Sequence, residues 1–162
     1  SGAVTLALLS ERPCWSAVGV DSSPGAVAVA SENAGRLGLD ARTRWLLGDL
    51  FDPVAGERFD LVVSNPPYIT SGDNAGLAAE VARYEPRAAL DGGADGLDFV
   101  RRIAEEAPKH LVAGGWLAVE FGAEQEAQVP ERLATAASGA WEEISLKKDY
   151  SGRPRVALAR RR

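Results

Sequence analysis

The stretch Ser64-Asn65-Pro66-Pro67-Tyr68 most constrains what this chain can fold into, because it follows the apolar run 59–63. A short apolar run bounded by turn-forming residues predicts a buried strand of a parallel sheet, so the motif lies where that strand opens into a loop. Each proline fixes its own φ at about −65° and favours extended geometry in the residue before it. Neither proline has a backbone N–H. We therefore expect a stiff loop that presents the Asn65 side-chain oxygen and the Pro66 carbonyl as fixed acceptors.

Two acceptors held side by side suit a planar NH2 group, which has two protons to donate. The ring of Tyr68 offers a flat face on which such a group can stack. Amides and the exocyclic amines of adenine, cytosine and guanine all fit this description, and their delocalised lone pairs require a strong electrophile. Asn65, Pro66, Pro67 and Tyr68 are therefore the predicted catalytic residues. The alternative interpretation is an Asn-Pro turn that only ends a strand.

The composition bounds the class of protein. The 162 residues carry a net charge of −5, and the only run of basic residues is 160–162. We expect one domain over 1–162, with no direct nucleic-acid partner. No membrane span, signal peptide or metal-ligand spacing is visible, which predicts a cytoplasmic protein without a metal site. The single cysteine, Cys14, excludes an internal disulfide and is expected to pack in the core.

Helix and strand patterns alternate along the chain. Ser23 followed by Pro24 is a typical helix start. Helices are predicted over 3–9, 24–37, 96–107 and 124–137, and strands over 15–20, 43–47, 59–64, 116–121, 141–147 and 155–159. A turn is predicted at 114–115 and loop over 69–94. The alternation predicts an α/β fold with a mostly parallel sheet and a C-terminal antiparallel hairpin.

Candidate cofactor-binding residues follow the predicted strands, where ligands of parallel α/β sheets bind. Asp21 can accept the hydroxyls of a ribose, with Ser22 beside it, although Asp21 could instead cap the next helix. Asp49 can accept from an adenine amino group while Leu50 packs on the purine; the alternative is a solvated loop carboxylate. Asn65 follows a third strand, so we count it among the cofactor-binding residues as well.

The beginning of the chain predicts part of a further site. A phosphate-cradling glycine loop is expected between a first strand and the helix over 3–9, and only Ser1 and Gly2 precede that helix. Ser1 and Gly2 are therefore predicted to be the end of such a loop. We expect the first strand and most of the loop to lie outside this chain.

Several stretches carry a resemblance to known enzymes. Residues 1–8 resemble the tail of the glycine-rich motif of class I methyltransferases. The remaining stretches resemble the catalytic domain of the HemK/PrmC family, the release-factor glutamine N5-methyltransferases. They are Asn65-Pro66-Pro67-Tyr68-Ile69, Arg83-Tyr84-Glu85-Pro86-Arg87-Ala88-Ala89-Leu90-Asp91-Gly92-Gly93, Asp95-Gly96-Leu97-Asp98-Phe99 and Asp149-Tyr150-Ser151-Gly152-Arg153-Pro154-Arg155. The tetrapeptide Asn65-Pro66-Pro67-Tyr68 is shared with DNA and RNA amino-methyltransferases. The Tyr84-Glu85-Pro86 segment and the terminal Gly152-Arg153-Pro154-Arg155 are narrower signals.

The resemblance implies a class I methyltransferase Rossmann-like fold with S-adenosyl-L-methionine as cofactor and S-adenosyl-L-homocysteine as product. It implies methyl transfer to the side-chain nitrogen of the glutamine in the Gly-Gly-Gln motif of class 1 peptide-chain release factors. It also implies that the family's small helical substrate-binding domain lies outside this chain. Glu85 could line the substrate mouth or anchor the long loop. Two alternatives stay open: a nucleic-acid amino-methyltransferase acting on adenine N6 or guanine N2, and a non-catalytic cofactor-binding domain.

Overall fold

The computed structural model describes residues 1–73 and 86–162, apart from the side chain of Arg87. The described chain forms two compact units, Ser1–Ala55 and Gly56–Arg162. Glu85, with its predicted role in the substrate mouth or the loop, lies outside the described residues, as do Arg83 and Tyr84. The assignment of 1–162 to a single catalytic domain stays a prediction.

The first unit alternates helix and strand. Its elements are α1 (Ala3–Glu11), β1 (Ala17–Asp21), α2 (Pro24–Arg36) and β2 (Thr43–Leu47). Strands β1 and β2 pair in parallel, with Asp21 opposite Leu47 at their carboxyl ends. The core of the unit packs α1 and α2 through Leu6, Leu9 and Ala34, together with Leu39.

Helix α2 has clear sequence signals at both ends. The Ser23 hydroxyl accepts from the N–H of Ala26 at 3.3 Å, as predicted for an N-cap. At the other end Gly38 has a φ of 66°. The N–H of Leu39 donates to the Ala34 carbonyl at 2.8 Å, and the N–H of Gly38 donates to the Gly35 carbonyl at 3.1 Å. This Schellman arrangement stops the helix at the predicted glycine.

The second unit contains a mixed sheet with the strand order β3-β4-β6-β5. Its elements are β3 (Phe59–Ser64), α3 (Asp98–Glu106), β4 (Leu111–Glu120), α4 (Gln128–Thr135), β5 (Trp141–Lys148) and β6 (Pro154–Arg161). Strands β3 and β4 are parallel, whereas β6 runs antiparallel to both β4 and β5. The parallel pairs and the terminal hairpin confirm the predicted fold class.

The core of the second unit lies between its sheet and its helices. Alternate residues of β4 are buried, which is the period of a strand that faces a core on one side. The largest fully buried side chains are Phe121, Leu97, Ile103, Leu111, Leu117, Leu133, Val100, Val119 and Val129. Within the ranges 1–73 and 86–162, the helices are all too short or too polar to cross a membrane.

Several predicted boundaries were wrong. Strand β1 begins at Ala17 rather than Trp15. Trp15 is exposed, and the centroid of its ring lies 5.9 Å from the Arg12 guanidinium carbon. Cys14 is also exposed, not in the core. The predicted turn at 114–115 is a bulge inside β4, where the pairing with β3 shifts register. The predicted helix over 124–137 is a 3-10 turn, Ala123–Gln125, followed by the shorter α4.

Candidate active site

The motif loop, which we define as residues 65–68, leaves the carboxyl end of β3. Asn65 is exposed and Pro66 is buried, while Pro67 and Tyr68 are half-buried. Within the described ranges, neither the Asn65 side chain nor the Pro66 carbonyl takes part in a hydrogen bond. Within those ranges neither oxygen has a partner, and their role as acceptors for a ligand stays a prediction.

The chain after the motif loop is fixed to the segment 90–93. The N–H of Ile69 donates to the Leu90 carbonyl at 3.0 Å, and the N–H of Gly92 donates to the Ile69 carbonyl at 2.8 Å. Ser71 adds an N–H bond to the Gly93 carbonyl at 2.9 Å. These bonds give residues 90–93, the end of the stretch 83–93 that carries the family resemblance, a structural role. They fix the backbone directly after the motif loop.

Two glycines bring backbone against the motif loop. A Cβ on Gly92 would lie 2.8 Å from both the Pro67 carbonyl oxygen and the Tyr68 Cα. A Cβ on Gly96, whose φ is 74°, would lie 2.4 Å from the Tyr68 carbonyl oxygen. Real Cβ atoms do not approach other atoms this closely, so a larger residue at either position must displace the loop.

Gln125 joins the motif loop to two other segments. Its Nε2 donates to the carbonyls of Tyr68 at 3.2 Å and Gly96 at 3.0 Å. Its Oε1 accepts from the N–H of Gly122 at 3.0 Å. Gln125 is not among the residues that the sequence predicts for the site. The only signal was a Gln three residues after a glycine at a helical turn, a pattern in which the side chain bonds back to the first N–H.

An ion pair stiffens the turn that leads into α3. The Arg101 guanidinium donates to both carboxylate oxygens of Asp95, at 2.9 and 3.1 Å, and also contacts Asp98. Asp95 additionally accepts from the N–H of Leu97 at 3.1 Å. Hydrogen bonding to Arg101 lowers the pKa of the Asp95 carboxyl below its usual value. Because the three charged side chains are largely exposed, they stabilise this turn only modestly.

In the first unit, Asp21 and Asp49 follow adjacent parallel strands. The N–H of Gly48 donates to the Asp21 carbonyl at 3.0 Å, which places Asp49 one residue beyond this bond. The Asp21 carboxylate is exposed, and its Oδ1 accepts from the N–H of Ser23 at 2.9 Å. Within the described residues its Oδ2 has no hydrogen bond. The cap of α2 is made by the Ser23 hydroxyl, not by Asp21. Asp21 therefore retains acceptor sites for ligand hydroxyls, beside the exposed Ser22.

Leu50 adopts a backbone conformation that is rare for its type. Its φ is 44°, in the left-handed region where a bulky side chain costs about 1–3 kcal/mol. The side chain is half-buried in the loop between β2 and the turn Asp52–Val54. Strain of this kind persists where the surroundings fix it, and it is concentrated at ligand sites. The contact between Leu50 and a purine stays a prediction.

Ser1 and Gly2 are held against α2 and β2. The Asn33 amide donates to the Ser1 carbonyl at 3.0 Å. Gly2 has a φ of 70°, and a Cβ there would lie 2.6 Å from the Trp45 ring. A side chain therefore does not fit at this position, as expected at the end of a glycine-rich loop. Together with the acceptors at Asp21, this backbone fits a nucleoside cofactor.

Curated proteins of one name are similar to this chain. Release factor glutamine methyltransferase from Rhodospirillum rubrum is 51% identical over all 162 residues, which cover 49% of that protein. The protein of the same name from Geobacter sulfurreducens is 54% identical over 122 residues, 75% of this chain and 42% of that protein. The predicted resemblance is thus confirmed. The chain spans about half the length of the curated relatives it matches.

Solved structures share the fold at low sequence identity. A methyltransferase from Pyrococcus furiosus superposes with a TM-score of 0.67 at 18% identity, covering 98% of this chain and 68% of that one. The methyltransferase SMU.776, solved in complex with SAH, gives a TM-score of 0.58 at 11% identity over 90% of this chain and 39% of that one.

These neighbours confirm the class I methyltransferase fold. The profile of the family described as "Methyltransferase small domain" matches residues 1–93, which contain the motif loop and the strand-end residues Asp21 and Asp49. The chain therefore belongs to the methyltransferase small domain family.

Proposed function

We propose that the protein containing this chain transfers a methyl group from S-adenosyl-L-methionine to a glutamine side-chain nitrogen of class 1 peptide-chain release factors. The glutamine is that of their Gly-Gly-Gln motif. The observation that carries this proposal is made at the motif loop. The carboxamide of the exposed Asn65 and the carbonyl of Pro66 accept no hydrogen bond within the described ranges. The names of the relatives from Rhodospirillum rubrum and Geobacter sulfurreducens support this substrate. Because release factors act in translation, we place the activity in the cytoplasm.

In the proposed mechanism the substrate NH2 donates one hydrogen bond to the Asn65 side-chain oxygen and a second one to the Pro66 carbonyl. Tyr68 offers its ring face to the planar amide. These contacts orient the nitrogen, and orientation alone can remove several kcal/mol of the barrier. When bound, S-adenosyl-L-methionine supplies an electrophilic methyl group on its sulfonium.

The acceptors also favour the transition state over the ground state. As the nitrogen becomes positive, its N–H groups become better donors, so their bonds to Asn65 and Pro66 strengthen. The motif loop has no carboxylate, imidazole or amine that could act as a general base, and Pro67 contributes stiffness rather than a reacting group. The proton therefore leaves after methyl transfer, to water or a nearby group.

We assign cofactor binding to the strand-end residues and the start of the chain. The Asp21 carboxylate, with Ser22 beside it, accepts the ribose hydroxyls. Asp49 accepts the adenine amino group, and Leu50 packs on the purine face. The proposed set is Ser1, Gly2, Asp21, Ser22, Asp49, Leu50 and Asn65. Its fit rests on the side-chain-free approach at Gly2 and on the acceptors that Asp21 retains.

The test is mass spectrometry of a purified release factor incubated with the full-length protein and S-adenosyl-L-methionine. We expect a gain of one methyl group on the peptide that contains the Gly-Gly-Gln motif, located to the glutamine by fragmentation. A release factor with that glutamine replaced by alanine is the control substrate. Methylation of tRNA, rRNA or DNA in place of the release factor would support the nucleic-acid alternative, and cofactor binding without any methylation would support a non-catalytic domain.

A further inference from the structure

Gln125 is a buried polar side chain, 6% exposed, to which the proposed mechanism gives no reacting role. Its two amide protons and its carbonyl oxygen are all engaged, with Tyr68, Gly96 and Gly122. This pattern needs two donors and one acceptor on the same planar group. Among side chains of this length only a carboxamide provides them, because a glutamate cannot donate when ionised.

The Gln125 bond completes the support of the Tyr68 backbone. The next residue along the chain, Ile69, makes two backbone hydrogen bonds to the segment 90–93, one through its N–H and one through its carbonyl. The Tyr68 carbonyl itself accepts from Gln125, and Gly96 approaches it too closely for a side chain. The backbone at Tyr68 is thereby held in one orientation.

Pro66 and Pro67 couple the backbone orientation at Tyr68 to that of the acceptors at Asn65 and Pro66. Pro66 and Pro67 remove two φ rotations between Tyr68 and Asn65, so a change of direction at Tyr68 turns the Pro66 carbonyl as well. The Tyr68 ring lies close to Gly122, since a Cβ built there would be 3.3 Å from its Cδ2. Gly122 is also the residue whose N–H Gln125 accepts.

We infer that Gln125 is a positioning residue: by holding the Tyr68 carbonyl, it sets the direction in which the Asn65 and Pro66 acceptors point. The inference rests on the proposed function, since those acceptors are its catalytic groups. Gln125 touches neither substrate nor cofactor in this role. It acts on the rate of the chemical step through the motif loop.

The informative variant in the full-length protein is Gln125→Glu. It keeps the shape of the side chain and the acceptor for Gly122 but sets an oxygen against the carbonyls of Tyr68 and Gly96. Burial and those carbonyls raise the pKa of such a carboxyl, and its protonated form can donate one bond. We therefore expect a kcat at least about tenfold lower at neutral pH, with a deficit that shrinks as the pH falls.

The matched control is Trp141→Phe. It removes another buried side-chain hydrogen bond of the same unit, from Trp141 Nε1 to the Ala104 carbonyl at 2.9 Å, without touching the motif loop. Both variants are compared at a temperature where each is folded. We expect both to melt at a lower temperature, only Gln125→Glu to lose kcat, and the affinity for S-adenosylhomocysteine to change less than about twofold.

A second measurement separates this inference from the proposed function. Hydrogen exchange at the amides of Ile69 and Ser71, which bond to the segment 90–93, reports the motif-loop exit without any substrate. Faster exchange in Gln125→Glu than in Trp141→Phe supports the inference even if the wild-type protein does not methylate a release factor. Exchange equal to that of the control, or an unchanged kcat in an active enzyme, overturns it.

Discussion

The backbone N–H of Gly48 donates to the carbonyl oxygen of Asp21 across 3.0 Å. This bond continues the parallel pairing of β1 and β2 one step past their last paired residues, Asp21 and Leu47. Asp49 follows directly. Two carboxylates thus emerge from neighbouring strands at one edge of the sheet, where ligands of parallel sheets bind.

Asp21→Asn is expected to weaken cofactor binding. A neutral amide replaces charge-assisted bonds worth about 1.5–3 kcal/mol each, which corresponds to a roughly 10- to 150-fold higher Kd. Calorimetry with S-adenosylhomocysteine on the full-length protein measures the change. Asp40→Asn, another exposed carboxylate of the first unit, is the control and should bind normally. Equal affinities for the two variants would rule out the ribose role of Asp21.

Asn65→Ala is expected to reduce the rate of methyl transfer by orders of magnitude, because one of the two acceptors for the substrate NH2 is lost. Single-turnover kinetics with a release factor measure the chemical step directly. Binding of S-adenosylhomocysteine should weaken much less than in Asp21→Asn, because Asn65 is only one of the seven residues of the proposed cofactor-binding set. Asn65→Gln keeps the carboxamide but moves it by one methylene, and it should also be slow. A wild-type single-turnover rate in Asn65→Ala would contradict the proposed catalytic role.

Gly96→Ala is expected to destabilise the protein and slow methylation together. Its methyl group would push against the Tyr68 carbonyl and Gln125 Nε2, at 2.4 and 2.6 Å, in addition to the cost of a positive φ. Gly152→Ala is the control: it has a similar φ of 83° and open space around it. Both carry the backbone cost of about 1–2 kcal/mol in thermal unfolding. If Gly96→Ala loses no more stability and activity than Gly152→Ala, close packing on the motif loop is not important.

Leu50→Gly is expected to be more stable than Leu50→Ala. Both variants lose the side chain, but only glycine relieves the left-handed backbone, by about 1 kcal/mol. Denaturant unfolding at one temperature measures this difference. Both variants should bind S-adenosylhomocysteine more weakly than the wild type, because the purine contact is gone. Tighter or unchanged binding would argue against Leu50 as part of the cofactor site.

The Asp149 carboxylate is expected to make the hairpin between β5 and β6 sensitive to acid. Its pKa is lowered chiefly by the Ser151 hydroxyl, then by the Arg153 N–H. A lowered folded-state pKa contributes stability that is present above the unfolded value of about 3.9 and lost as the pH falls through the folded pKa. Asp149→Asn should therefore be less stable than the wild type at neutral pH.

The stability difference between the wild type and Asp149→Asn should shrink below the unfolded pKa of about 3.9. Thermal unfolding between neutral pH and pH values below that point tests this expectation. Ser151→Ala removes the largest cause of the shift and should move the acid transition of the wild type to higher pH. A difference that is independent of pH would mean that the charge of Asp149 does not stabilise the turn.

The strands and the strand-end residues could be predicted because their signals are local. The apolar run before Ser64, the cap at Ser23 and the stop at Gly38 each involve neighbouring residues, and the structure agrees with all of them. The Asn65 side chain is also exposed, as a presented acceptor requires.

The support of the site could not be predicted, because it is made by contacts between distant segments. Gln125 lies between two acidic residues, Glu124 and Glu126, yet its partner in the motif loop, Tyr68, is 57 residues away. The bulge at Gly114-Gly115 was mistaken for a turn for the same reason: only the pairing of β4 with β3 shows that the strand continues. Trp15 and Cys14 are hydrophobic residue types that are nevertheless exposed, and the local sequence pattern does not reveal this.

The contacts of Gln125 also bear on the order in which the molecule assembles. They join Gln125 to Tyr68, which is 57 residues earlier in the chain, and to Gly96, which is 29 residues earlier. Its third partner, Gly122, is a near neighbour in the sequence. The parallel pairing of β3 with β4 sets Ser64 opposite Val119 and already closes most of the distance between Tyr68 and Gln125, since these two residues follow Ser64 and Val119 closely. Until the residues after β4 have been synthesised and packed, the backbone at Tyr68 lacks its bond to Gln125, so the fixed form of the motif loop depends on the later part of the chain.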